Sequence, residues 1–159
     1  MEELLDRDEF RISLTLQLPR DRISIPVVRH LTRDALGEVG VVDTIRDDVE
    51  LAVTEACANV LDHAGSGDAY DVIVSVRGRV CEIRVVDVGR GFDYESLVGQ
   101  ELRIDDESGR GIALMRSLMD SVRFSSEPER GTIVHLVKGL AFDDSAPARR
   151  LLLDVPPGN

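Results

Sequence analysis

Three residues in the middle of the chain are of types that do chemistry and sit at a spacing that could let them act together. They are Glu55, Asn59 and His63, and they fall within a stretch that the apolar pattern assigns to a helix. Four residues rise about 6 Å and turn slightly past one revolution, so the three side chains share one stripe. A carboxylate beside an amide oxygen suits a hard divalent cation with a general base next to it. Spacing alone allows an equally plain reading, a solvated helix face lying opposite the apolar one. A second group is Asp87-Val-Gly89-Arg-Gly91, where a strand ends in an acid and glycines follow at once. Asp87 could accept a hydrogen bond from an amino group, and Gly89 and Gly91 allow close backbone approach to a ligand. Ordinary turns use such glycines too. A third group, Gly109-Arg110-Gly111, opens another apolar-periodic stretch. The first N–H groups of a helix suit an anion such as phosphate, although the same residues also serve as a helix start with a flexible approach. The fourth, Gly131-Thr132, heads an apolar strand and by itself is only a turn.

These groups need elements to hold them, and the hydropathy pattern supplies them. Residues 10–18 alternate apolar and polar, which predicts a half-buried strand ended by Pro19. Ser24 is placed to cap a helix with Pro26 in its first turn, and Gly37 and Gly40 are placed to stop it. A helix is expected from Asp43 or Thr44 to about His63, with Ile45, Val49, Ala52, Val53, Ala56 and Val60 on its apolar face. Gly65–Asp68 reads as a loop. Tyr70–Arg77 and Val80–Val88 alternate around Gly78-Arg79 and predict a hairpin. The polar stretch from Gly89 to Gly109 has the length of a functional loop. Gly111–Met119 reads as helix, and Val122–Ser126 with Thr132–Val137 as a last strand pair. After Leu140 the acidic pair Asp143-Asp144 and the prolines predict a loosely ordered tail, with Leu151–Leu153 as a short apolar segment. Hairpins alternating with helices predict an α+β fold, one mixed, mostly antiparallel sheet with helices on one face. The expected domain is 1–140, followed by the tail, 141–159.

Composition narrows the classes of function. The chain has 159 residues, 43% apolar and 31% charged, and its 19 Lys and Arg against 30 Asp and Glu give a formal charge of −11. That balance argues against nucleic-acid binding, which rests on cations meeting phosphates, and against a polybasic membrane anchor. No apolar run approaches the ~20 residues of a spanning helix. The N-terminal residues are acidic, without the apolar core of a signal peptide, so the cytoplasm is the expected location. Cys57 and Cys81 form no Cys-x-x-Cys pair, and three scattered histidines give no zinc pattern. Both cysteines are expected in the core, in a reducing compartment.

The four groups in this order resemble the GHKL (Bergerat-fold) ATP-binding superfamily, and within it most closely the anti-sigma-factor serine/threonine kinases. The resemblance spans roughly residues 10–138, and Val53-Thr-Glu-Ala-Cys-Ala-Asn-Val-Leu-Asp-His-Ala64 is its most specific part. It implies a histidine-kinase-like ATPase domain that takes ATP and Mg²⁺. Asn59 would be the metal ligand, Glu55 the catalytic general base, Asp87 the acceptor for the adenine amino group, and Thr132 a neighbour of the same ring. Gly89 and Gly91 would admit the nucleotide, Gly109 and Gly111 would cradle phosphates, and His63 would be structural support. Asp93–Ser108 would be a lid, and Arg103 within it and Arg110 just after it would be the cations able to meet a γ-phosphate. The implied activity is phosphorylation of a STAS-domain antagonist and sequestration of a sigma factor by a homodimer. The acidic lid favours an alternative, a partner-switching adaptor that binds nucleotide without phosphoryl transfer. A third reading, an acidic α+β domain with chance glycine turns, predicts no adenine-nucleotide binding at all.

Overall fold

The computed structural model describes residues 11–62, 67–88, 106–127 and 131–146. The elements in chain order are β1 (Arg11–Pro19), α1 (Ser24–Glu38), α2 (Asp43–Asp62), β2 (Ala69–Arg77), β3 (Val80–Val88), α3 (Asp106–Leu118), β4 (Ser121–Glu127) and β5 (Gly131–Gly139). The strands form one sheet in the order β1-β2-β3-β5-β4. All four ladders are antiparallel, so the sheet is not mixed as the sequence suggested. The α+β architecture with helices on one face is as expected.

The two-residue period of the strands sorts the sheet into two faces. Val72, Val74 and Val76 of β2, Cys81, Ile83 and Val85 of β3, and Val134 and Leu136 of β5 are buried toward the helices. Ile12, Leu14 and Leu16 of β1 pack on the same cluster. Opposite them, α1 contributes Val28 and Leu36, and α2 contributes Val49, Ala52, Val53, Ala56 and Val60. Ile112, Met115 and Met119 close the core from α3 and its end. Burial of each valine, leucine, isoleucine or methionine among them contributes roughly 1.5–3 kcal/mol against exposure.

Local signals explain most of the boundaries. Gly78 sits at φ 56 in the β2–β3 turn, where a side chain would be strained. Gly40 at φ 85 follows α1, and the Val41 amide donates to Leu36 O at 3.0 Å. That bond is the six-to-one closure of a left-handed helix end. The N-terminal cap differs from expectation. Ser24 is already the first residue of α1, and its hydroxyl donates to Asp21 O at 2.6 Å. It also lies 2.5 Å from the Tyr70 hydroxyl. The Asp21 carboxylate instead accepts from the Ile23 amide at 2.9 Å, so the turn is organised one step earlier in the chain.

Both cysteines are free and buried. Burial pushes the Cys57 thiol up to about 12, with the Tyr70 hydroxyl opposing. Burial likewise raises Cys81 to about 12, with the Glu82 charge adding to it. Such thiols are packing groups, not nucleophiles. At the C-terminal side the expected loose tail is not met over Ala141–Ala146. Phe142 bridges to Val41 and is buried, as is Ala146, so the boundary expected at residue 140 falls inside a packed segment. Leu151–Leu153 lies outside the described residues.

Candidate functional site

The stripe on α2 is not a solvated face. Asn59 is only 9% exposed and Glu55 is half-buried. Helical geometry explains the error in placing the stripe opposite the core. At about 100° per residue, Asn59 lies about 40° from Glu55, while Ala52 and Ala56 lie about 60° and 100° away. The stripe therefore flanks the apolar face, and α3 covers it there. His63 lies outside the described residues.

Gly111 of α3 approaches α2 closely. A Cβ at Gly111 would stand 3.1 Å from Asn59 Nδ2, 3.2 Å from Glu55 Oε2 and 3.6 Å from Asn59 Oδ1. The missing side chain lets a carboxylate oxygen and both amide atoms stand close against α3. Asn59 Nδ2 is buried and has no hydrogen-bond partner among the described residues. A buried polar atom left unanswered costs about 1–3 kcal/mol. Such a cost fits a site that a polar ligand completes. The residues fit a metal–nucleotide site in their chemistry, an amide and a carboxylate one helical revolution apart beside a helix start.

That helix start is earlier than the sequence suggested. α3 begins at Asp106, five residues ahead of the expected Gly111. The amides without internal partners lie at the first residues of a helix, and Gly109 stands at the end of that first turn. Gly111 lies further in, and its contribution is clearance above Glu55 and Asn59. Arg110, between them, is exposed.

The second wall comes from the sheet. Asp87, near the end of β3, is 1% exposed, and Thr132, its register partner on β5, is also 1% exposed. Both follow the parity of Ile83, Val85 and Val134 and so face the helices. Gly131, paired with Val88, has φ 140, a backbone that favours glycine at the head of β5. Asp87 Oδ2 accepts a hydrogen bond from Arg20 Nη1 within an ion pair. Asp87 Oδ1 is buried without a partner among the described residues. Arg20 Nη2 reaches Leu61 O at 3.4 Å, two residues beyond Asn59, which ties the Asp87 wall to the last turn of α2. The described residues thus form two polar groups, Asp87 with Thr132 on the sheet and Glu55 with Asn59 beside Gly111 on the helices, linked through Arg20 and Leu61 O. Gly89, Gly91, Arg103 and residues 93–105 of the expected lid lie outside the described residues. Arg20 was not singled out in the sequence. Its one signal is a cation directly after the strand-ending Pro19, and nothing in its spacing links it to Asp87, 67 residues away.

This architecture, an antiparallel sheet with helices packed on one face, has counterparts among known proteins. The chain belongs to the histidine kinase-like ATPase domain family, whose sequence pattern matches residues 18–138. It is similar to the anti-sigma F factor of Bacillus licheniformis, at 30% identity over 114 residues, covering 69% of this chain and 73% of that protein. It is also similar to the serine-protein kinase RsbW of Halalkalibacterium halodurans, at 27% identity over 141 residues, covering 83% and 86%. Among solved structures, the RsbU and RsbW domains of Rv1364c from Mycobacterium tuberculosis share the fold, with a TM-score of 0.63 at 20% identity. The alignment covers 81% of this chain and 32% of that one, so the chain spans about a third of that structure.

Proposed function

We propose that the chain is a Mg·ATP-dependent serine/threonine protein kinase that phosphorylates a STAS-domain antagonist and sequesters a sigma factor. The carrying observation is the close approach at Gly111 of Glu55 Oε2 and of an Asn59 amide whose nitrogen has no partner among the described residues. The relatives named anti-sigma F factor and serine-protein kinase RsbW support this reading.

Phosphoryl transfer needs positioning and charge neutralisation more than covalent help. When bound, Mg·ATP supplies the transferable phosphoryl group and a divalent charge among its oxygens. The chain's own residues do the rest. Asn59 presents its amide to the metal from a helix held rigid by Val49, Val53 and Val60. Glu55, one revolution earlier and only half-buried, accepts the proton of the attacking serine or threonine hydroxyl. Asp87 receives the adenine amino group through Oδ1, with Thr132 beside the ring. Gly89 and Gly91 admit the nucleotide, Gly109 offers amides to phosphate, and Arg110 stands exposed near them. The active form is a homodimer that uses the alternating edge strand β1. The compartment is the cytoplasm, and among the described residues no helix is long and apolar enough to cross a membrane.

Titration calorimetry with Mg·ATP, followed by mass spectrometry of a STAS-domain partner, tests the proposal. Asn59→Ala is expected to abolish Mg-dependent ATP binding. Glu55→Ala is expected to keep binding and to stop modification of the partner. A Glu55→Ala protein that phosphorylates at the wild-type rate removes the base assignment. Wild-type protein that binds ATP and never modifies a partner turns the assignment to a nucleotide-binding adaptor.

A further inference from the structure

The Arg20–Asp87 ion pair is not used by any step above, and it sits in the wall assigned to the base. Asp87 is 1% exposed and the Arg20 side chain 12%. Removing two charges from water is expensive unless each is answered. Here one carboxylate oxygen is answered and the other is not, since Oδ2 takes Arg20 Nη1 while Oδ1 has no partner among the described residues. We infer that Arg20 is a positioning residue for nucleotide recognition: it pins Asp87 Oδ2 so that Oδ1 alone points to the ligand, which makes the site select a purine carrying a 6-amino group. The inference rests on the proposed ATP-binding reading and adds the residue that enforces the choice of base.

Three observations make Arg20 suited to this work. Its backbone is fixed, because the Arg20 amide donates to Asp68 O at 3.0 Å, continuing the β1–β2 ladder past Pro19. The chain is then turned by Asp21, whose carboxylate holds the Ile23 amide and whose carbonyl accepts from the Ser24 amide at 2.9 Å. Its guanidinium is held from a second side by Leu61 O, at the carbonyl end of α2, where the helix dipole favours a cation. A planar guanidinium gripped at two points can orient a carboxylate in a way that a mobile point charge does not. Without it the Asp87 carboxylate, whose terminal torsion is broad and two-fold, can turn either oxygen to the ligand or to water. Selectivity against a base lacking the donor depends on a site group being left unpaired by that base. Arg20 creates this condition by leaving one acceptor, and only one, to be satisfied.

The test compares ATP with purine riboside 5′-triphosphate, which lacks the 6-amino group, by calorimetry at fixed Mg²⁺ on the full chain. Wild-type protein is expected to prefer ATP by ~10- to 100-fold, the worth of one hydrogen bond to a charged acceptor. Arg20→Ala is expected to reduce this ratio below ~3-fold, and Arg20→Lys, a mobile point charge without the planar two-point grip, to lower it part of the way. A merely structural arginine would lower both affinities together and leave the ratio alone. Should Arg20→Ala not fold, Arg20→Gln, which keeps the aliphatic stem without the charge, carries the same comparison. A folded Arg20→Ala or Arg20→Gln protein with the wild-type ratio overturns the inference. So does an Arg20→Ala protein that binds ATP more tightly than wild type, which would make the guanidinium a plug. A wild-type ratio near one instead removes Asp87 as the acceptor for the base, and the inference falls with that assignment.

Discussion

Replacing Gly111 by alanine separates stability from function more cleanly than any other single change. Gly111 is helical and its φ is not in the left-handed region, so alanine costs no backbone strain there. Helix propensity alone favours alanine over glycine by about 0.8–1.0 kcal/mol. Against this, the new Cβ would stand 3.1 Å from Asn59 Nδ2 and 3.2 Å from Glu55 Oε2. Contact at about 3.4 Å requires those atoms, or α3 itself, to give by about 0.2–0.3 Å. Asn59 is buried and has little room to retreat, whereas Glu55 is half-buried and can swing away. The two terms nearly cancel in folding, so the melting temperature is expected to stay within about 3 °C of wild type. They do not cancel in function, because the methyl occupies the space between the proposed base and the proposed metal ligand. Mg·ATP affinity is expected to fall at least ~10-fold, about 1.4 kcal/mol, with transfer lost in proportion or more. Calorimetry and thermal melts on the same preparation read both quantities. A folded Gly111→Ala protein with wild-type ATP affinity would refute the placement of the site between α2 and α3.

Two further outcomes follow from the described residues. Burial raises the Glu82 carboxyl, but hydrogen bonds and charge from Arg84 and His135 outweigh it and leave the group below its usual 4.5. A depressed folded value means a contribution that is complete above pH ~4.5 and lost as pH falls through the lowered value. Glu82→Gln should therefore cost less than ~1 kcal/mol at pH 7, since the pair is about a third exposed. The gap between wild-type and variant melts should close below pH 4.5, and a gap constant from pH 3 to 8 contradicts the ion-pair account. The cysteines give the second outcome. With both thiols raised to about 12 by burial, a disulfide reagent at pH 8 should label neither Cys57 nor Cys81 until denaturant is added. Rapid labelling of the native protein would show that the core around α2 and β3 opens.

How far the sequence could be read depended on how far apart the cooperating residues lie. The Tyr70–Val88 hairpin was legible because alternation and Gly78 act within a few residues. The α2 helix was legible because Val49, Val53, Ala56 and Val60 repeat at its period. Helix ends were less so. Asp106–Gly109 carries no apolar periodicity, and α3 starts there nonetheless. Ser24 looks like a cap, yet its hydroxyl is drawn to Tyr70, a partner 46 residues on that no local rule can see. The resemblance to ATP-binding proteins brought Glu55, Asn59, Asp87 and Thr132 together before any coordinates did. It offered no reason for Asn59 to be buried or for Gly111 to face it.

By itself the sequence determined the repeating elements, the face of each that is apolar, and the acids, amides and glycines available to a nucleotide. These follow from periods of two and about 3.6 residues, which are local properties of the backbone. Only the tertiary structure decided that β5 lies between β3 and β4, which brings Thr132 beside Asp87. It also decided that Gly111 of α3 stands against Glu55 and Asn59 of α2 and that Arg20 closes on Asp87. Each of these depends on close packing between segments tens of residues apart, where the free energy of burial selects the partner and no spacing along the chain records the choice.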